Sequence, residues 1–282
     1  MRYASFLKDG KARTAAFVDG LWRDAGTVSI LERLKSGVNL ASKEGLTFGD
    51  EIDLNAVALQ PLIVVPPKIF CIGLNYLDHA AESPYKDTPT YPAVFPRYAT
   101  SLIAHGQPII RPQLSEQLDF EGELVAIVGK GGRHIKQRDA LQHVAGYSIF
   151  NEGSIRDYQF KSPQWTIGKN FDNTGAFGPV LVTADELPDG GHGLEIKTRL
   201  NGVVMQSGNT ADLIFPVAEL ISTLSEAITL QPGDVIVTGT PAGIGWARKP
   251  PVFMKDGDIC EVEIDGIGIL RNPVRDEAPA VA

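Results

Sequence analysis

A chain of 282 residues holds material for one large domain, or for a large domain and a small one. Hydrophobic residues make up 43% and charged residues 21%, the balance of an ordinary globular protein, and the net charge of -8 argues against nucleic acid or an anionic membrane as partner. Cys71 and Cys260 each sit in an apolar stretch and read as buried free thiols of a reducing compartment. The start, Met1 to Gly10, lacks the apolar core of a signal peptide, and no stretch reads as a membrane span, so a cytoplasmic protein is expected.

Residues 1–62 are expected to form a small N-terminal β-containing domain. Tyr3 to Phe6, Ala15 to Val18 and Leu21 to Trp22 read as short strands, with turns at Asp9-Gly10 and Asp19-Gly20. Val28 to Ser36 alternates at helical spacing. Pro61 to Pro67 reads as a linker into a main body over residues 66–282.

In that body Ile69 to Gly73 is a short buried strand. Asn75 is placed to cap a short helix that Pro84 ends, with His79 and Glu82 on one face. A carboxylate beside an imidazole fixes its tautomer and raises its basicity, as a general base acting on water requires. Spacing alone favours the plainer reading, a surface ion pair. Tyr85 to Tyr98, rich in Pro, Tyr and Thr, reads as an irregular loop, and a helix beside such a loop suits a lid.

Leu118 to Lys130 carries Asp119, Glu121 and Glu123 at alternate positions ahead of the apolar run Leu124 to Val128. A strand would point the three acids the same way, where they repel unless a cation or a shared proton intervenes. For an arbitrary D-x-E-x-E a solvated acidic face is the favoured reading. The buried strand that follows shifts the balance to a hard divalent cation at the mouth of a core. Asp139 to His143 reads as a short helix and Val144 to Phe150 as another buried strand. Glu152 emerges where that strand stops and is a candidate further ligand. Arg156 and Asp157 are expected to be structural, as an ion pair or in helix-start contacts. Lys169, in Q-W-T-I-G-K, is either an ordinary surface residue or the holder of a substrate's acid group.

The remainder is β-rich. Leu194 to Leu200 and Val203 to Gln206 flank the hairpin signal Asn201-Gly202, and Val217 to Ala227 reads as an amphipathic helix. Val235 to Thr238 is a buried strand. The following G-T-P-A-G-I-G offers close backbone approach and the Thr240 hydroxyl, but it has no G-K-[ST] to make a phosphate loop. Ala278 to Ala282 reads as a frayed tail.

From about Ile69 to Val274 the chain resembles the fumarylacetoacetate hydrolase family. Five motifs occur in the family's order: G-L-N-Y-x-x-H-x-x-E, D-F-E-G-E-L, G-Y-x-x-F-N-E-x-S-x-R-D-Y-Q, Q-W-T-x-G-K-x-F-D and P-G-D-V-I-x-T-G-T-P-x-G-I-G. The resemblance implies a mixed α+β, β-rich fold, with a catalytic domain of mixed β-sandwich or β-roll type, assembled as a homodimer or higher oligomer. It implies Mg²⁺ or Mn²⁺ held by Glu121, Glu123 and Glu152. At Glu152 the family more often has aspartate, and a glutamate reaches about one C–C bond further. His79 and Glu82 match a lid-borne water-activating pair, and Gln159, Lys169 and Thr240 match positions that contact a 2-oxo acid.

The implied activity is metal-dependent hydrolysis of a C–C bond in an acylpyruvate, such as maleylpyruvate or fumarylpyruvate, to pyruvate and a carboxylic acid. Lys169 would take part in catalysis as well as binding. The same site supports decarboxylation or tautomerisation of oxaloacetate-like acids and isomerisation of hydroxydienoic acids. A non-catalytic metal-dependent binder of dicarboxylates is the alternative of another class. Arg97, Tyr91, Tyr158 and Lys161 are candidates for recognising a second carboxylate, or are structural.

Overall fold

The apolar run after Glu121 becomes the strand Gly122–Val128, buried along its whole length. The computed structural model describes residues 1–82 and 89–279. Within them this strand lies near the centre of an eleven-stranded sheet, antiparallel to Val144–Glu152 on one side and Val235–Val237 on the other. Beyond Val235–Val237 the sheet continues through Ile69–Gly73 to the edge strand Ala93–Pro96. Beyond Val144–Glu152 it continues through Gly175–Thr183 to Arg2–Lys8, Lys11–Val18 and Leu21–Asp24.

Alternation along the central strand divides the interior in two. Leu124, Ala126 and Val128 enter one core, shared with the helix Val217–Ala227 and a five-stranded sheet that includes Glu195–Leu200, Ile259–Ile264 and Gly268–Asp276. Val125 and Ile127 enter the other, with Ile30 and Leu34 of the helix Ile30–Lys35. That helix starts at a capping box in which Ser29 and Glu32 satisfy each other's backbone N–H groups. The mixed α+β, strand-rich fold expected from the sequence is therefore present.

Local expectations are met where the signal was turn chemistry. Asp9-Gly10, Asp19-Gly20 and Asn201-Gly202 all take positive φ, as two-residue hairpin turns require. Residues 1–62 contribute four strands to the large sheet, and Tyr3, Ala16 and Val18 share a core with Val125. The boundary drawn at residues 62–66 lies between Ala58–Gln60 and Ile69–Gly73, both strands of this sheet.

Several strands lie where none was expected, Gly175–Thr183 and Ala93–Pro96 among them. Gly175–Thr183 carries Pro179, which alternation rules read as a strand breaker. The strand itself bulges there, with Pro179, Val180 and Leu181 standing against the single residue Ser148, and a proline is tolerated at a bulge. Ala93–Pro96 lies in the stretch read as irregular, and pairing with Ile69–Gly73 orders it. Asn75 is not a helix cap. Its buried amide donates to the Phe215 and Thr238 carbonyls and accepts from Phe215 N–H, so it ties the cleft's floor together. Pro84, the first part of the loop from Tyr85, and Ala280 to Ala282 of the tail lie outside the described residues. Among the described residues no helix is long and apolar enough to cross a membrane. Both cysteines are buried free thiols.

Candidate metal centre and active site

Glu121 and Glu123 stand at the start of the central strand and Glu152 ends its neighbour; Gly122 pairs with Asn151, and Glu152 N–H donates to Glu121 O. Their side chains share the face of Val125 and Phe150, where one carboxylate oxygen from each lies within 4.8 Å of the others. All three are buried.

Asp119 does not join them. The strand Leu118–Asp119 breaks off before Gly122, and this interruption cancels the alternation that would have aligned the three acids. Asp119 instead accepts N–H bonds from Phe120, Gly245 and Trp246 and the Arg156 Nε donor at 2.8 Å.

Cations line the cluster. Lys169 Nζ donates to Glu121 Oε2 at 2.6 Å and to Glu152 Oε2 at 2.9 Å, and Arg156 Nη2 lies 2.7 Å from Glu121 Oε1. Burial works to raise the Glu121 carboxyl, but Lys169 and Arg156 outweigh it and hold it down at about 2. Among the described residues no such cation is within bonding reach of Glu123. Burial first, then Glu152 and Glu121, push its carboxyl well above the usual range, although Gly239 N–H donates to it. Burial also works to lower Lys169, and Glu121 and Glu152 reverse that. Gly239 has φ 104°, and a Cβ there would come within 2.7 Å of Asn75 Cβ, so this donor has to be glycine.

Oxygen-only donors of this number suit Mg²⁺ or Mn²⁺. Glu152 Oε1 is buried with no hydrogen-bond partner among the described residues, Arg97 Nη1 being 3.7 Å away, and such an ion would satisfy it. The three residues fit a divalent cation.

His79 faces the same cleft from the helix Leu77–Glu82. Its Nδ1 lies 3.7 Å from Glu82 Oε2, and both Glu82 oxygens accept Gly243 N–H at 3.0 Å. Burial works against the Glu82 charge, yet His79 and that N–H lower its carboxyl overall. Leu74, at φ 56° on the cleft wall, is held in this strained conformation by the Asn75 anchor beside it.

The cleft encloses about 40 Å³ of space open to water-sized molecules. Gln159 lines it and accepts Arg156 Nη1 at 2.8 Å; Thr240 lines it too, but its hydroxyl donates to Gly122 O and accepts from Gln206. The opposite wall is Phe160, Trp165, Ile244 and Trp246. Among the described residues, Arg97, Tyr91, Tyr158 and Lys161 do not line it. Arg97 is buried behind Glu152 on Gly153 O and Thr174 Oγ1, and Lys161 Nζ sits 3.3 Å above the Tyr158 ring.

Residues 68–275 match the family described as Fumarylacetoacetate (FAA) hydrolase C-terminal. The chain belongs to that family. It is 44% identical over 220 residues, 77% of this chain and 68% of the other, to oxaloacetate tautomerase fahd2, mitochondrial, of Xenopus laevis. The fumarylacetoacetate hydrolase of Exiguobacterium antarcticum superposes with a TM-score of 0.86 at 35% identity, covering 98% of this chain and 100% of that one. The 5-carboxymethyl-2-hydroxymuconate delta-isomerase of Mycobacterium smegmatis does so with 0.79 at 30%, covering 98% and 100%. The chain is thus an enzyme of the fumarylacetoacetate hydrolase family.

Arg156 is the site residue that sequence reasoning placed elsewhere, as structural. Its signal was available: it stands three residues before Gln159 on one helical turn, so the two share a face.

Proposed function

We propose that the chain is a divalent-metal-dependent enzyme interconverting the keto and enol forms of a small 2-oxo acid, with oxaloacetate as substrate and Glu121, Glu123 and Glu152 as the metal ligands. The observation that carries this reading is an acid cluster fit for a dication, facing one cleft with a buried histidine that stands beside Glu82. The relative named as an oxaloacetate tautomerase supports it. Bound there, the ion would stabilise the negative charge that grows on the 2-oxygen during enolisation.

The chain's own groups do the rest. His79 takes the proton from C3 of the keto form and delivers it to the 2-oxygen, and in the reverse direction moves the enol's O–H proton back to C3. Glu82, fixed by Gly243 N–H, keeps the imidazole oriented. Lys169, with Gln159 and Thr240, faces the substrate's carboxylate end, and Phe160, Trp165 and Trp246 exclude water from the reacting carbons. A homodimer is the proposed assembly.

Acylpyruvate hydrolysis is the second reading. It is favoured by the His79–Glu82 pair, which also suits a base that activates water. Enol-rich oxaloacetate presented with Mn²⁺ separates the outcomes. Faster loss of enol absorbance with the four-carbon acid intact by mass supports tautomerisation. Release of CO₂, or faster cleavage of fumarylpyruvate than enol loss, contradicts it.

A further inference from the structure

The contacts of Asp119 give it a task that neither a ligand nor a plain ion-pair partner has. Its carboxylate is fully buried and joins two parts of the site. Oδ1 accepts Gly245 N–H at 2.8 Å, and Oδ2 accepts Trp246 N–H at 2.9 Å, which fixes the wall segment that carries Ile244 and Trp246. Oδ2 also accepts Arg156 Nε at 2.8 Å. The far end of the same guanidinium lies 2.7 Å from Glu121 Oε1, and its Nη1 donates to Gln159 Oε1.

Arg156 is therefore shared between two acids, one of which is a candidate metal ligand. Glu121 already gives its other oxygen to Lys169 at 2.6 Å. An arginine with a single anionic partner in a buried site binds that partner more tightly, because nothing else compensates its charge. We infer that Asp119 is a positioning residue: by engaging Arg156 and the Gly245–Trp246 backbone, it keeps Glu121 available to a divalent cation and sets the opposite cleft wall. This rests on the reading that Glu121, Glu123 and Glu152 hold such an ion.

The sharing makes the effect of removing either partner opposite in sign. Asp119→Asn keeps one oxygen for the Phe120 and Gly245 N–H groups but presents an NH2 donor to Trp246 N–H and Arg156, so Arg156 turns wholly to Glu121. Arg156→Gln removes the competitor of the metal at Glu121. The double variant removes the cause and the consequence together.

Mn²⁺ binding to chelator-treated protein, read by electron paramagnetic resonance, tests this independently of turnover. Partners just behind metal ligands typically matter 10–100-fold, so Asp119→Asn should weaken Mn²⁺ by about 10-fold or more. Arg156→Gln should tighten it. The double variant should return to within about 3-fold of wild type, the non-additivity expected of residues in one network. A purely structural Asp119 would leave the double variant as weak as the single. That result, or wild-type binding by Asp119→Asn, overturns the inference. If Asp119→Asn does not fold, Arg156→Gln alone decides: unchanged or weaker Mn²⁺ binding overturns it. Failure of the wild type to bind Mn²⁺ would instead sink the metal reading itself.

Discussion

Burial and two neighbouring acids keep the Glu123 carboxyl well above its usual range, so a cation entering beside it has to displace a proton. Glu121, held at about 2 by Lys169 and Arg156, has none to lose at neutral pH. The sign follows: Mn²⁺ affinity should still be rising with pH above the ordinary carboxylate range of about 4.3. Calorimetric titrations at several pH values, corrected for buffer ionisation, should show that rise and proton release on binding. Glu123→Gln should abolish both. His79 lies outside the carboxylate triad, so His79→Gln should leave Mn²⁺ binding intact while lowering kcat by roughly 10²–10⁴-fold, the usual worth of a general base. Equal turnover by that variant would remove His79 from the mechanism. Glu121 and Glu123 were legible as a pair because residues two apart on an extended chain share one face. The pairing of Arg156 with Asp119 was not, since which acid a buried arginine selects depends on strands and loops distant in sequence.

Among the elements, the 239–246 loop contributes most to the site for its size. It brings Gly239 N–H to Glu123, Gly243 N–H to Glu82, and Gly245 and Trp246 N–H to Asp119. A Cβ on Gly245 would collide with Val252 O and stand 2.6 Å from Asp119 Oδ1. Gly245→Ala is therefore expected to displace the loop and cost at least about 1–3 kcal/mol, the usual penalty of overpacking. Urea unfolding measures the stability loss, and quenching of Trp246 fluorescence by acrylamide should rise with it. Sequence reading recognised the glycines as permitting close approach but not what they approach. It also missed Gly175–Thr183, because this strand accommodates Pro179 in a bulge against Ser148, and the pairing that makes the bulge is a tertiary fact.

At the scale of the molecule, the N-terminal strands close one side of the large sheet. Arg2–Lys8 pairs with Gly175–Thr183, and Tyr3, Ile30 and Leu34 fill the core that also carries Val125 and Phe150. Residues 66–282 expressed alone would bare that strand edge and apolar face, so they should aggregate or bind a hydrophobic dye. A soluble, cooperatively melting fragment would show the division to be a true domain boundary. The fold class was legible from strand periodicity and five ordered motifs; the sharing of one sheet by residues 1–62 and the main body was not, since no local pattern encodes which strands meet. The most direct test of the whole account is the rate of enol-oxaloacetate ketonisation by chelator-treated protein as Mn²⁺ is titrated back. The account predicts no rate above the uncatalysed background without the ion, and recovery that saturates as a single ion binds per chain. Full activity in the chelator-treated protein would contradict it.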